Sequence, residues 1–281
     1  MRTSNPALND RIFSRETGGQ DALRPGWAAA GGAATATAPA PDTVSAWTPA
    51  YPPATRTDTM TIGGVVSAAA VLLVLLVAAG FFGYAATTAT PERIELPAFL
   101  IPALLVGFGV AIVTIFKPKY ARFTAPAYAL IEGFVLGAIS RVYEFSFDGI
   151  VLQAVGLTVG VFALMLFLYS SRIIKVTDKL RMGIVMATGA VALVYMVTLI
   201  ARLFGADVGF IHSAGGFGIL FSLVVVGIAS LNLLLDFDIA ERGAAMGAPK
   251  YMEWYAAFGL LVTLVWLYLE LLRLLAKLRS R

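Results

Sequence analysis

Acidic side chains interrupt an otherwise apolar chain at a few places, and those places carry whatever chemistry the protein has. An apolar run from Ala214 to Leu235 ends in Asp236-Phe237-Asp238-Ile239-Ala240-Glu241-Arg242. After the turn-like Gly247-Ala248-Pro249, a second run carries Glu253 near its start and Glu270 near its end. Glu132 stands alone in Ala129-Leu130-Ile131-Glu132-Gly133, with Thr124, Tyr128 and Ser140 as its nearest polar neighbours in sequence. Carboxylates are costly in hydrocarbon, so such residues face a bundle interior, a partner or water. Two acids at hydrogen-bonding distance cannot both ionise cheaply and therefore share a proton.

Spacing constrains what each acid can do. Asp236 and Asp238 lie about 200° apart on a helix, so they cannot face one groove together. Asp236 follows the unbroken apolar run and is the interior candidate. Asp238 reads with Glu241 and Arg242 as a wet helix end. Glu270 either faces the interior or pairs with Arg273 three residues on. Glu132 is a candidate cation or proton site. Asn232, one turn before Asp236, can hydrogen-bond across helices. Trp254, Tyr255, Trp266 and Tyr268 read as interfacial belt residues. His212 reads as a loop histidine, and Arg202 as a side chain reaching the headgroups.

Composition decides the class. The chain is 59% hydrophobic, 14% charged and has a mean hydropathy of +0.82, against about 45–50% and about 25% in soluble domains. It is an integral membrane protein. With no cysteine and one histidine, it excludes disulfides, thiol catalysis, thiolate metal sites and a histidine-cluster metal site. Its formal net charge of +4 is accounted for by basic loops and needs no nucleic acid. Phosphate-binding loops, zinc-protease motifs and Gly-x-Ser-x-Gly do not occur. No second Asp-bearing span exists for an aspartyl intramembrane protease. A secondary transporter would want an inverted repeat, and none is visible.

The elements that must position the acids follow from apolar run lengths. Runs near 61–86, 98–116, 126–143, 150–170, 182–204, 213–236 and 254–276 match the roughly 17–25 residues a span needs. Residues 1–60, rich in Ala, Gly, Thr and Pro, are predicted to be a disordered cytoplasmic tail, and 61–281 a seven-helix transmembrane domain. Gly107, Gly109, Gly133, Gly137 and Gly227 suit close helix packing. Loops after the second, fourth and sixth runs hold Lys117, Lys119, Arg122, Arg172, Lys175, Lys179, Arg181, Arg242 and Lys250. The alternate loops hold only Arg93, Arg141 and Arg202. Positive charge stays inside, so the N-terminus is predicted to be cytoplasmic. Seven spans then place the basic C-terminal end outside; the alternative is that one run is re-entrant or interfacial and both ends are cytoplasmic.

These features resemble the Bax inhibitor (transmembrane Bax inhibitor motif) family in its bacterial branch, over about residues 60–281. The residues that carry the resemblance are Glu132-Gly133, Leu235-Asp236-Phe237-Asp238 and Leu267-Tyr268-Leu269-Glu270-Leu271-Leu272-Arg273. Met252 to Trp266 looks like an actinobacterial variant. The resemblance implies an all-α bundle with the last helix central. It also implies a pH-sensitive calcium leak in the inner membrane, closed by two acids that share a hydrogen bond. Carried over, these are Asp236, with Asp238 as the alternative, and Glu270, which would also give transient calcium ligands. A basic latch at the end of the second helix falls on Lys117 or Lys119.

Asp236 and Glu270 are 34 residues apart. A straight hairpin turning at Gly247 places them about 16 Å and about 35 Å from the turn. They meet if 249–258 is an interfacial segment or the last helix breaks near Ala256–Gly259; otherwise the place of the seventh-helix acid falls near Thr263, where this chain has none. The expectation is a non-enzymatic calcium or proton pathway without a cofactor, calcium being the permeant ion. The rival expectation is a membrane-embedded modulator of a membrane protease or another membrane protein. Either would have the lipid bilayer as its first partner.

Overall fold

The structure, a computed structural model, describes residues 59–90, 94–95, 97–205 and 215–280. Seven α-helices run through these residues: α1 (Ile62–Ala86), α2 (Leu100–Phe116), α3 (Ala121–Ser146), α4 (Ile150–Ser170), α5 (Asp178–Leu203), α6 (Gly216–Ala245) and α7 (Met252–Arg279). A two-residue antiparallel pair, β1 (Thr88–Ala89) and β2 (Ile94–Glu95), follows α1, and a 3-10 turn (Pro118–Tyr120) joins α2 to α3. Six of the helices are long and apolar enough to cross a membrane; α2, at 17 residues, is the shorter one.

Three spans differ from the sequence reading. The run ending at Leu235 continues as helix to Ala245, so Asp236, Asp238, Glu241 and Arg242 lie inside α6 and do not close it. A backbone that keeps its own hydrogen bonds has no reason to stop at an acid whose charge is matched nearby. Helix α3 begins five residues before Pro126 and runs to Ser146. Helix α5 begins at Asp178, which makes Arg181 a first-turn residue of the helix. The predicted tail lies outside the described residues, apart from Thr59 and Met60. These two already belong to the bundle: Thr59 bridges Pro249, and the Met60 amide donates to the Ala248 carbonyl at 2.6 Å.

The last helix is the central one. Helix α7 packs on α1, α3, α4 and α6, and more of it is buried than of any other span. It is unbroken from Met252 to Arg279, without the break or interfacial segment that would bring Asp236 to Glu270. The turn before it is fixed by Gly247 at φ +67°. The Gly247 amide donates to the Ala244 carbonyl and that of Ala248 to the Gly243 carbonyl, the two bonds of a Schellman stop. At the same face Glu253 is buried and takes hydrogen bonds of 3.0 Å from both the amide and the hydroxyl of Thr61. An acid at the first turn of α1 meets the positive end of its dipole.

Helices α1 and α3 run parallel and touch backbone to backbone. A methyl group at Gly137 would stand 1.9 Å from the Gly80 carbonyl oxygen; one at Gly133 would stand 2.2 Å from that of Leu76. Small residues four apart let two helices approach this closely. By contrast, Gly109 and Gly227 have open space where a Cβ would go, so they do not serve the packing expected of them. Tyr255, expected at the membrane interface, is fully buried because it faces the core side of the central helix. Gly137→Ala is expected to destabilise the protein by roughly 1–3 kcal/mol, the usual range for overpacking. Gly109→Ala is expected to change it by less than about 0.5 kcal/mol. Thermal unfolding of both variants in detergent checks the difference.

Candidate functional site: a polar seam between α5, α6 and α7

Arg181, Thr188 and Tyr195 recur every seventh residue of α5. Residues at that spacing share one helix face, and each of the three meets a polar partner on α6 or α7. At one end Arg181, 2% exposed, donates to Asp238 Oδ2 at 2.5 Å. Arg242 donates to the same oxygen from one turn along α6. One level deeper, Asn232 Nδ2 donates to Thr188 Oγ1 at 2.8 Å, the cross-helix bond its position suggests. Asp236, 3% exposed, lies one turn from Asn232 on α6.

Toward the other face, Tyr195 donates to Glu270 Oε1 at 2.7 Å. Arg273 Nη1 closes a triangle, donating to Tyr195 Oη at 2.7 Å and to Glu270 Oε1 at 2.9 Å. Its guanidinium carbon lies 5.2 Å from the centre of the Tyr195 ring. Beyond it Lys277, also buried, donates to Ser222 Oγ at 2.8 Å and to the Gly218 carbonyl at 2.9 Å. From Arg181 to Tyr195 the seam climbs about 21 Å, most of a hydrocarbon core of about 30 Å. Carboxylates are therefore held at several depths, with cations at both ends.

The family model of Bax inhibitor 1 like proteins matches residues 5–280. The chain belongs to the Bax inhibitor 1 like family. The match begins at residue 5 and so takes in most of the segment that the resemblance left out. No curated protein matches the chain.

For a Bax inhibitor 1 like protein, the arrangement of acids is specific. Asp236 and Glu270 do not come together. The turn pairs Ala245 with Met252, and Lys277 reaches Gly218 and Ser222. In that register Asp236 lies level with about residue 261, and Glu270 with about residue 227. Their separation along the bundle is about nine residues, or about 13 Å. No Asp or Glu occurs on α7 between Glu253 and Glu270, so α7 offers Asp236 no acid at its own level. The implied two-acid lock and shared calcium ligands are thus not formed in this structure. Among the described residues no three acids or histidines converge as a metal site.

The two lysines expected to form a basic latch do not reach the α6 acids. Lys117 and Lys119 are exposed at the end of α2 and in the 3-10 turn. The cations that reach the α6 acids are Arg181 and Arg242, both on Asp238, and Arg172 on Glu241. Asp238 is accordingly half of a mostly buried ion pair and not a wet helix end. Glu132 lies apart from the seam, where α3 meets α2; a Cβ on Gly107 would stand 3.7 Å from its Oε2. Among the described residues no hydrogen bond or ion pair reaches its carboxyl. Tyr268 hydrogen-bonds Ser140 at 2.6 Å. The readings of His212 and the Arg202 side chain fall outside the described residues.

Arg181, Tyr195 and Lys277 are the residues that sequence reasoning missed, whereas the Glu270–Arg273 pair is formed as the i,i+3 spacing allows. The signal was present in the seven-residue repeat of Arg181, Thr188 and Tyr195, but Arg181 had been read as a loop charge. Removing one partner of a buried ion pair costs about 3–5 kcal/mol. Because Arg242 still faces Asp238, Arg181→Met is expected at or below the lower end of that range. Asp238→Asn in the same chain is expected to recover part of the loss. A double-mutant cycle by thermal unfolding gives the coupling, expected on the order of 1–3 kcal/mol.

Proposed function

We propose that this protein is a cation leak pathway of the cytoplasmic membrane, with calcium as its permeant ion and a pH-dependent conductance. It crosses the membrane seven times, with α2 as the short span and the N-terminus in the cytoplasm. The observation that supports this reading is the seam of acids and hydroxyls between α5, α6 and α7, which nearly traverses an otherwise apolar bundle. Intramembrane ionisable groups that pair with one another commonly mark ion or proton paths. The resemblance implies the same activity.

In this reading the structure is the closed state. Arg181 and Arg242 occupy Asp238 at the cytoplasmic end, and Arg273 and Lys277 fill the outer end. A cation cannot enter while these guanidinium and ammonium groups hold the oxygens it needs. Opening requires Arg181 to leave Asp238, after which a cation passing α6 meets carboxylate oxygens in turn, Asp238 on one face of the helix and the deeper Asp236 on another. Glu270 belongs to the outer closure and not to a pair with Asp236. The pH response arises because a protonated carboxyl binds neither the arginine nor the cation as its ionised form does.

Calcium flux into proteoliposomes at two pH values tests this. The wild-type protein is expected to pass calcium at rates that differ between the two. Asp236→Asn is expected to lower the flux by about tenfold, the equivalent of one lost charge-assisted ligand. Arg181→Gln is expected to raise it. Lack of protein-dependent flux at either pH, or flux indifferent to both substitutions, would overturn the reading. In that case the modulator of a membrane partner becomes the better account.

A further inference from the structure

One side of the bundle is not closed by helix packing. Helices α1 and α4 barely touch, and between them lies a groove of about 480 Å³. Its rim residues Val77, Phe81 and Val159 are more than 60% exposed, whereas its floor residues Leu261 and Val265 on α7 are under 10% exposed. The groove is therefore open to the surroundings of the bundle and floored by the central helix. It runs along α1 from Leu73 to Tyr84, about 16 Å of helix. That is half of a hydrocarbon core of about 30 Å, the depth of one leaflet.

The two ends differ. At mid-bundle the walls are apolar apart from Thr158, whose hydroxyl is used up on the Ala154 carbonyl of its own helix at 2.7 Å. At the end shared by the C-terminus of α1 and the N-terminus of α4, the lining gains the hydroxyls of Tyr84, Ser140 and Tyr268. Arg141 stands at this end. Its Nη1 donates to Tyr84 Oη at 3.0 Å, and its guanidinium carbon lies 5.1 Å from the centre of the Tyr84 ring. Arg141 is five residues from the end of α3, about 7 Å of rise, which is headgroup depth. Arg172, Arg181, Arg242 and Arg273 all pair with carboxylates. Arg141 forms no ion pair among the described residues: Glu144, one turn further along α3 at the same end, is instead taken up by the amides of Gly149 and Val151 at 2.7 and 2.9 Å, which leaves the Arg141 guanidinium without a carboxylate partner at the Tyr84 end of the groove.

We propose that this groove binds a phospholipid of the leaflet on that face, one acyl chain along α1 and α4 and the phosphate on Arg141. The length of the groove selects a chain of one leaflet, and its apolar walls select hydrocarbon. The fork of a guanidinium selects phosphate and holds it by more than one hydrogen bond. Tyr84, by stacking on Arg141 and accepting from it, presents the remaining guanidinium nitrogens to the headgroup. This site is separate from the polar seam and does not depend on the transport reading.

Native mass spectrometry of the full chain in a neutral detergent tests the proposal, with phosphatidylglycerol and diacylglycerol as probes. The wild-type protein is expected to retain one phosphatidylglycerol and to prefer it to diacylglycerol, which has no phosphate. Arg141→Gln is expected to weaken phosphatidylglycerol about tenfold, as for one charge-assisted contact, and to leave diacylglycerol unchanged. Val155→Trp and Val159→Trp add bulk at an exposed wall of the groove without disturbing the core. Each is expected to remove both lipids while the thermal midpoint is retained. Phosphatidylglycerol held as well by both tryptophan variants as by wild type would overturn the site. Equal binding of the two probes, or no retained lipid, would overturn the phosphate contact or the whole proposal respectively.

Discussion

An antiparallel helix hairpin has one variable that decides its chemistry, the register of one helix on the other. Here the register is set at Gly247, where a left-handed residue and two backbone hydrogen bonds stop α6, and α7 restarts five residues later. Every polar level in the bundle follows from that stop. It places Asp236 midway between the two acids of α7, puts Lys277 against the first turn of α6, and brings Glu253 to the start of α1. A turn two residues longer would change all of these meetings by several ångströms, since each residue contributes about 1.5 Å of rise.

The bundle is asymmetric in how its helices associate. In lipid there is little hydrophobic gain from bringing one apolar helix to another, so contact comes from close packing and polar bonds. Helices α1 and α3 use the first, with glycine against carbonyl at Gly133 and Gly137. Helices α5, α6 and α7 use the second. Helix α5 packs mainly on α6, and it is fastened through Arg181, Thr188 and Tyr195. The least densely packed helix is thus the one held by ion pairs and hydrogen bonds. Those bonds can exchange partners without breaking up a core, whereas the glycine contact cannot slide without steric clash. Rigid and exchangeable halves meet at α7, which is central because it must satisfy both.

What the amino-acid sequence determined alone was the class, the number and approximate limits of the apolar helices, and the family. These depend on run length, on the scarcity of charge and on short local motifs, all of which the bilayer reads one helix at a time. Glu132, Asp236, Asp238 and Glu270 were visible as the exceptional charges for the same reason. Of their partners only the near neighbours were, Arg242 one turn after Asp238 and Arg273 three residues after Glu270; Arg181 and Tyr195 were not. Asp236 and Glu270 are kept apart by an offset in register of about 13 Å, and the side chain that reaches Asp238 from another helix is not Lys117 or Lys119 but Arg181, which lies in α5 and not in the loop before it. A burial or a meeting between helices depends on turns and close contacts far away in the chain. Only the tertiary structure decided which arginine reaches Asp238, that Tyr195 and Arg273 hold Glu270, and that α1 and α4 leave a groove between them.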